Sequence, residues 1–214
     1  EHETTKLIAE KLEEFAKKYL ETGDSENLVD GRFVCIRRAS DLSQQGSFIA
    51  APQVGVHSDE LYGSHHAKDA SGLFQTLGME LNVFSSAMKV NSQYMHVLWF
   101  TVIVREPITL NDIKEKLYNS PYVAMTTKDM TSTVFSFGRD HGHFGRILNQ
   151  TVIVEQSLNV RNNHEITGFC FTPQDGNSIL SSISAAEWML YPRCLLYTSP
   201  SPRDQRGSRM AGSA

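Results

Sequence analysis

Apolar residues recur at helical spacing between Thr4 and Leu20: Leu7, Ile8, Leu12, Phe15, Ala16 and Tyr19 fall on one stripe, and Lys6, Glu10, Glu13, Glu14 and Lys17 lie mostly off it. The pattern predicts an amphipathic helix. After the turn residues ETGDSEN the period changes, and GRFVCIRR, β-rich and ending in two arginines, predicts a strand. FIAAPQVGVHSDELYG carries Pro52, Gly55 and Gly63 at uneven spacing with no sustained repeat, so it and the following YGSHHAKD are expected to be loop. LNVFSSAMKV returns to strand character.

The run from Tyr94 to Arg105, YMHVLWFTVIVR, is almost wholly apolar and rich in β-branched and aromatic residues, as a central strand covered on both faces must be. Thr109 can cap LNDIKEKLYN, where Leu110, Ile113 and Leu117 form a helical stripe. A strand pair is expected at QTVIVEQSLNV and HEITGFCF. Asp175 to Ser178 reads as a turn and cap before a closing helix, ILSSISAAEWML, with Ile179, Leu180, Ile183, Ala186 and Met189 near one side. There is no internal repeat. Strands joined by hairpins and interrupted by helices, without regular alternation, predict an α+β fold: a mainly antiparallel sheet with helices packed on one face.

Composition narrows the picture at the ends. CLLYTSPSPRD, Cys194 to Asp204, breaks the periodicity, and all eleven residues match the translation of a transposase adapter used in preparing DNA for sequencing. Residues 194–214 are therefore expected to be a non-native tail, and 1–193 a single domain. Without the tail the chain has 17 basic and 23 acidic residues, which argues against a nucleic-acid surface. The chain starts at EHETTKL without methionine, and is read as an internal fragment. No apolar run approaches the roughly 20 residues of a membrane span, and the first residues do not resemble a secretory signal, so a soluble intracellular protein is expected. Cys35 and Cys170, each between apolar neighbours, look like core residues in a reducing compartment; no zinc site or disulfide framework is suggested.

Several basic side chains could carry chemistry. His65 and His66 in a loop could both face one small anion, or could be two solvated rings. Arg37 and Arg38 close a strand and so point to opposite faces, leaving one for a given site; guanidinium suits phosphate because its planar donors fit two oxygens. Lys89 could join such a cluster. His96 alternates with Leu98, Phe100, Val102 and Val104, which places it on an apolar face at the start of a strand. Most such histidines are core residues, but a strand end can also offer an imidazole to a cleft as a general base. His141 and His143 stand two apart with no acidic or cysteine partner spaced to complete a metal site, and no metal is expected.

Taken in order, ETTKL, CIRR, GSHHAKD, SSAMKV, YMHV and PQDGNSILSSI resemble the archaeal-type (type II) glyceraldehyde-3-phosphate dehydrogenases, from the first residues to about Pro192. The resemblance implies the catalytic domain and final helix of that enzyme, with the dinucleotide-binding domain missing. It implies His96 as the base, and Arg37, Arg38, His65, His66, Lys89, Thr4 and Thr5 around the substrate's phosphate, with Asn177 toward the cofactor. The family's cysteine opens Cys-Asn-Thr-Thr-Gly; here the matching residues are His2, Glu3, Thr4, Thr5 and Lys6, so the nucleophile is expected at the position of His2 or just before Glu1. Asn91 and Lys6 also depart from the family, where proline and glycine are common. The implied activity is phosphorylating aldehyde oxidation through a cysteine thioester in central carbon metabolism, with NADP or NAD, in a cytoplasmic homo-oligomer, by resemblance a tetramer, and with the fragment itself inactive. Two alternatives stay open: a related dehydrogenase for another phosphorylated aldehyde or acyl phosphate, and a relative that has lost its nucleophile and serves as a binding or assembly module.

Overall fold

The computed structural model describes residues 27–39, 49–76, 78–92, 94–120, 123–141 and 151–172, together with 186, 189 and 190. The predicted first helix, most of the closing helix and the tail lie outside these residues; Ala186, Met189 and Leu190 are helical, as their pattern requires. Eleven main elements follow in order: β1 (Leu28–Arg37), β2 (Gln53–Val54), α1 (His65–Gln75), β3 (Val83–Lys89), β4 (His96–Val104), α2 (Leu110–Asn119), β5 (Val123–Thr126), α3 (Thr131–Asp140), β6 (Thr151–Val154), β7 (Asn159–Arg161) and β8 (Glu165–Thr172).

The strands form one mixed sheet in the order β2-β3-β1-β4-β8-β6-β5, with β7 also paired to β8. Only β1 with β3 and β5 with β6 run parallel, and each of these pairs is connected through a helix, as a parallel pair demands. The other pairings are antiparallel. This is the α+β class and mainly antiparallel sheet that the pattern predicts, but the helices are not confined to one face: α2 packs on one side and α3 on the other, because β4, β6 and β8 carry apolar residues on both faces. β4, the long apolar run, is the central strand, flanked along most of its length by β1 and β8.

Side chains alternate across the sheet. Leu98, Phe100, Cys170 and Ile153 pack against Leu110, Ile113 and Leu117 of α2 on one face. Their neighbours Val97, Phe171, Val152 and Val154 pack against Val134 and Phe135 of α3 on the other. α1 joins the α2 face through Ala67 and Ser71, lying over Ser85, whose register partner in β1 is Phe33 and, one strand further, Phe100. Phe100 meets Gly168 on β8, where a Cβ would stand 2.9 Å from its ring, so glycine makes room for the central aromatic.

Thr109 caps α2 as expected: its hydroxyl accepts from the Asp112 amide at 3.2 Å, while the Asp112 carboxylate accepts from the Thr109 amide at 2.9 Å. Such a reciprocal cap contributes about 0.5–2 kcal/mol. The Thr109 hydroxyl also donates to the Asp112 carboxylate at 2.6 Å, and this bond, then that from the Thr109 amide, holds the Asp112 carboxyl below the usual carboxylate range. β5 and α3 were not anticipated from the pattern.

Candidate functional site

The histidine pair does not lie in a loop. Ser64 has extended backbone angles and is the N-cap of α1, so His65 and His66 are its first two helical residues. Their rings nevertheless converge, with centroids 4.0 Å apart. The first turn of a helix has no preceding turn to crowd its side chains, so two adjacent rings can lean together there. The segment before it is a tight turn: Asp59 accepts from the amides of Leu61 and Tyr62 at 3.0 Å each, and its other oxygen meets Lys68 of α1 at 3.0 Å. Gly63 closes the turn at φ 74°, and a Cβ there would stand 2.4 Å from the Ser85 carbonyl oxygen. Only glycine permits this approach.

Beneath the pair lies a buried polar cluster. The Ser64 and Ser85 hydroxyls are 2.7 Å apart, the Ala67 amide donates to Ser85 Oγ at 3.0 Å, and Ser64 Oγ stands 3.1 Å from His66 Nδ1. The Tyr62 carbonyl accepts from the amides of both Ser64 and Ser85, fastening the turn to β3.

Arg37 and Lys89 end the two parallel strands as register partners, so both leave the sheet on the same face. That face is the one α1 covers, since Lys89 and Ser85 are an even number of residues apart. One step beyond the last β1–β4 register pair, Ile36 with Val97, stand Arg37 and His96. Arg38, past the strand end, is 6% exposed, and its backbone N–H donates to His96 Nδ1 at 3.0 Å. An amide can only donate, so the neutral His96 ring carries its proton on Nε2. Arg37, Lys89 and His96 thus end neighbouring strands on the face that α1 covers, and Arg37 lies near enough to His66 to act on its charge. His2, Thr4, Thr5 and Asn177 lie outside the described residues.

Burial holds the His66 pKa below the usual imidazole value; His65 and then Arg37 push it the same way, and Asp69 opposes them. Arg37 therefore sets a fixed charge near a ring that resists adding another. Burial also raises the Cys35 pKa, with Arg37 opposing, and pushes Cys170 up to about 12. Neither forms a disulfide, and both are buried, which is the behaviour of core thiols and not of nucleophiles. His141 stacks on Phe137 at 4.1 Å and its Nδ1 donates to the Phe137 carbonyl at 2.9 Å; His143 lies outside the described residues. Among the described residues no group of three or more His, Cys, Asp or Glu side chains is placed to hold a metal ion.

Two histidine contacts were not read from the sequence. His57 Nε2 meets Ser86 Oγ at 2.8 Å with its ring edge-on to Phe84, and His164 Nδ1 meets the Val104 carbonyl at 3.1 Å. His57 lies in irregular chain and His164 in a turn, where no local periodicity singles them out. No helix among the described residues is long and apolar enough to cross a membrane.

No protein-family model matches the chain. Its sequence is distantly similar to glyceraldehyde-3-phosphate dehydrogenases of archaea. It is 30% identical over 135 residues to that of Methanobacterium bryantii, which covers 60% of this chain and 38% of the relative. The Methanocaldococcus jannaschii enzyme is 26% identical over 137 residues, 62% of this chain and 38% of the relative. The Metallosphaera sedula enzyme is 29% identical over 104 residues, 47% of this chain and 29% of the relative. The matched region spans well under half the length of these curated relatives.

Proposed function

We propose that residues 1–193 are the catalytic part of a phosphorylating glyceraldehyde-3-phosphate dehydrogenase, a cytoplasmic homo-oligomer using NADP or NAD. One observation supports this reading: in a chain distantly similar to those enzymes, Arg37, Lys89 and His96 end neighbouring strands on the face covered by α1, which begins with His65 and His66. Two fixed cations and two imidazoles fit a phosphate monoester, and holding the phosphate fixes where the aldehyde carbon sits relative to His96.

The nucleotide, when bound, supplies the hydride acceptor. The thiolate that attacks the aldehyde comes from outside the described residues, because Cys35 and Cys170 are buried with raised pKa values. With Nδ1 accepting from the Arg38 amide, the neutral His96 ring has its one hydrogen on Nε2, the donor that would stabilise the oxygen gaining charge on attack. To take up a proton at Nε2 as a base, the ring must first carry its hydrogen on Nδ1, which gives up the bond from the Arg38 amide. Inorganic phosphate then releases the acyl group from its thioester.

The direct test is formation of NAD(P)H from glyceraldehyde 3-phosphate that requires inorganic phosphate or arsenate. Turnover independent of either anion would contradict the phosphorylating reaction. A second reading, a relative without its nucleophile, is favoured by His2 at the ungapped cysteine position. It predicts binding of the same phosphorylated aldehyde with no turnover at all.

A further inference from the structure

We propose that Ser64 and Ser85 are positioning residues: with the Ala67 amide they form a one-way chain of hydrogen bonds that holds the neutral His66 ring with its proton on Nε2. Resting on the phosphate reading above, this has His66 meet the substrate phosphate with an N–H donor at a fixed ring nitrogen.

The direction follows from counting protons. The Ala67 amide can only donate, so Ser85 Oγ accepts from it. Ser85 is 2% exposed, and the acceptor within reach of its own hydroxyl proton is Ser64 Oγ at 2.7 Å. A buried hydroxyl proton left without an acceptor costs about 1–3 kcal/mol, so Ser85 donates to Ser64. Ser64, 7% exposed, must then donate its proton onward, and His66 Nδ1 at 3.1 Å is there to accept it. Nδ1 is thereby unprotonated, and the neutral ring carries its hydrogen on Nε2.

A second feature supports the same chain. A serine at the N-cap ordinarily accepts from an amide of the first turn of its own helix. Ser64 makes no such side-chain cap bond. Ser85, from β3, takes the amide of Ala67, the third residue of α1, in its place. The cap is supplied from another element, and the residue in the cap position is released to orient His66. Adding a proton to His66 would force Nδ1–H against the Ser64 hydroxyl and leave that hydroxyl's proton unused, so the chain also resists the imidazolium form.

The test is a long-range ¹H–¹⁵N correlation spectrum of histidine-labelled protein, the 214-residue chain, at about pH 8, with His66→Gln to identify the His66 signals. The wild type is expected to show one tautomer, with Nδ1 in the unprotonated and Nε2 in the protonated range. Ser64→Ala and Ser85→Ala are each expected to shift both nitrogens toward the averaged values of a solvated imidazole, and Ser85→Thr, which keeps the hydroxyl, to retain the wild-type pattern. A tautomer mixture or an Nδ1–H ring in the wild type overturns the proposal, as does an unchanged pattern in either alanine variant. Loss of the pattern in Ser85→Thr as well overturns it by assigning the effect to packing. Inorganic phosphate added to the wild type should move the His66 signals; if the single tautomer is seen but phosphate moves nothing, the chain stands and the phosphate reading falls.

Discussion

The Arg38 amide donates to His96 Nδ1 at 3.0 Å, tying the end of β1 to the start of β4 and settling which nitrogen of the His96 ring carries hydrogen. A backbone donor holds the ring without adding charge, so His96 keeps its orientation whatever the Arg38 side chain does. In active enzyme, His96→Asn should lower kcat by about 10²- to 10⁴-fold with a smaller change in KM, as loss of a proton-transferring group does. Asparagine can still accept from the Arg38 amide, so the strand end should hold. Steady-state kinetics from about pH 6 to 9 check this, and normal turnover throughout would return His96 to a purely structural role.

The depressed His66 pKa gives two pH effects of predictable sign. Burial, then His65 and Arg37, disfavour the charged ring, and Asp69 favours it. Without an anion, the unfolded chain takes up the proton near the ordinary value of about 6.5 before the folded chain does. The contribution of His66 to stability is therefore constant above that pH and is lost progressively as pH falls below it. Urea unfolding of the wild type and His66→Gln should show their difference in stability changing in that direction below about pH 6.5. A bound dianion favours the charged ring instead. Sulfate, dianionic across this range, should bind more tightly as pH falls, and His66→Gln should reduce that rise.

Gly63 combines φ 74° with contact to the Ser85 carbonyl, so alanine there meets both an unfavourable backbone conformation and a backbone atom that cannot swing aside. Gly63→Ala should cost about 2–4 kcal/mol, from a left-handed residue and an overpacked contact together. Chemical unfolding measures this. The change should also disturb the His66 signals, since the turn positions Ser64 over Ser85. Wild-type stability in this variant would mean that the turn does not press on β3.

Both described cysteines should be inert. Burial raises Cys35 and takes Cys170 to about 12, so neither forms much thiolate near pH 8. Mass mapping after mild alkylation should find both unmodified in native protein and both modified in denaturant. Rapid labelling of Cys35 in the native state would reopen it as a nucleophile.

The parts of the fold legible in the sequence are those whose signals are local. α2 announces itself through Thr109, Asp112 and the stripe of Leu110, Ile113 and Leu117, and β4 through an unbroken apolar run. α1 was hidden because its buried face is Ala67 and Ser71, too small and too polar to mark a stripe, and because part of its cap comes from Ser85 on another strand. α3, TSTVFSFGRD, is rich in β-branched and aromatic residues that ordinarily disfavour helix; packing of Val134 and Phe135 against Val152, Val154 and Phe171 overrides that preference. The site divides in the same way. The residue types suited to phosphate could be named from the chain, but the side-by-side placement of Arg37 and Lys89 depends on a parallel register between strands far apart in sequence. The chain of serines beneath His66 depends on the docking of α1 against β3, which no local pattern records.

The central claim is that the cationic group around α1 recognises phosphate, and the most direct measurement is the ratio of kcat/KM for glyceraldehyde 3-phosphate to that for glyceraldehyde in active enzyme. Arg37→Ala and His66→Ala should each lower this ratio about 10- to 100-fold, the loss expected when a charged or donor group is removed from a phosphate. Slow turnover of glyceraldehyde should be preserved, because His96 and its Arg38 amide contact are untouched. An unchanged ratio in both variants, or an equal fall for the two substrates, would contradict the claim.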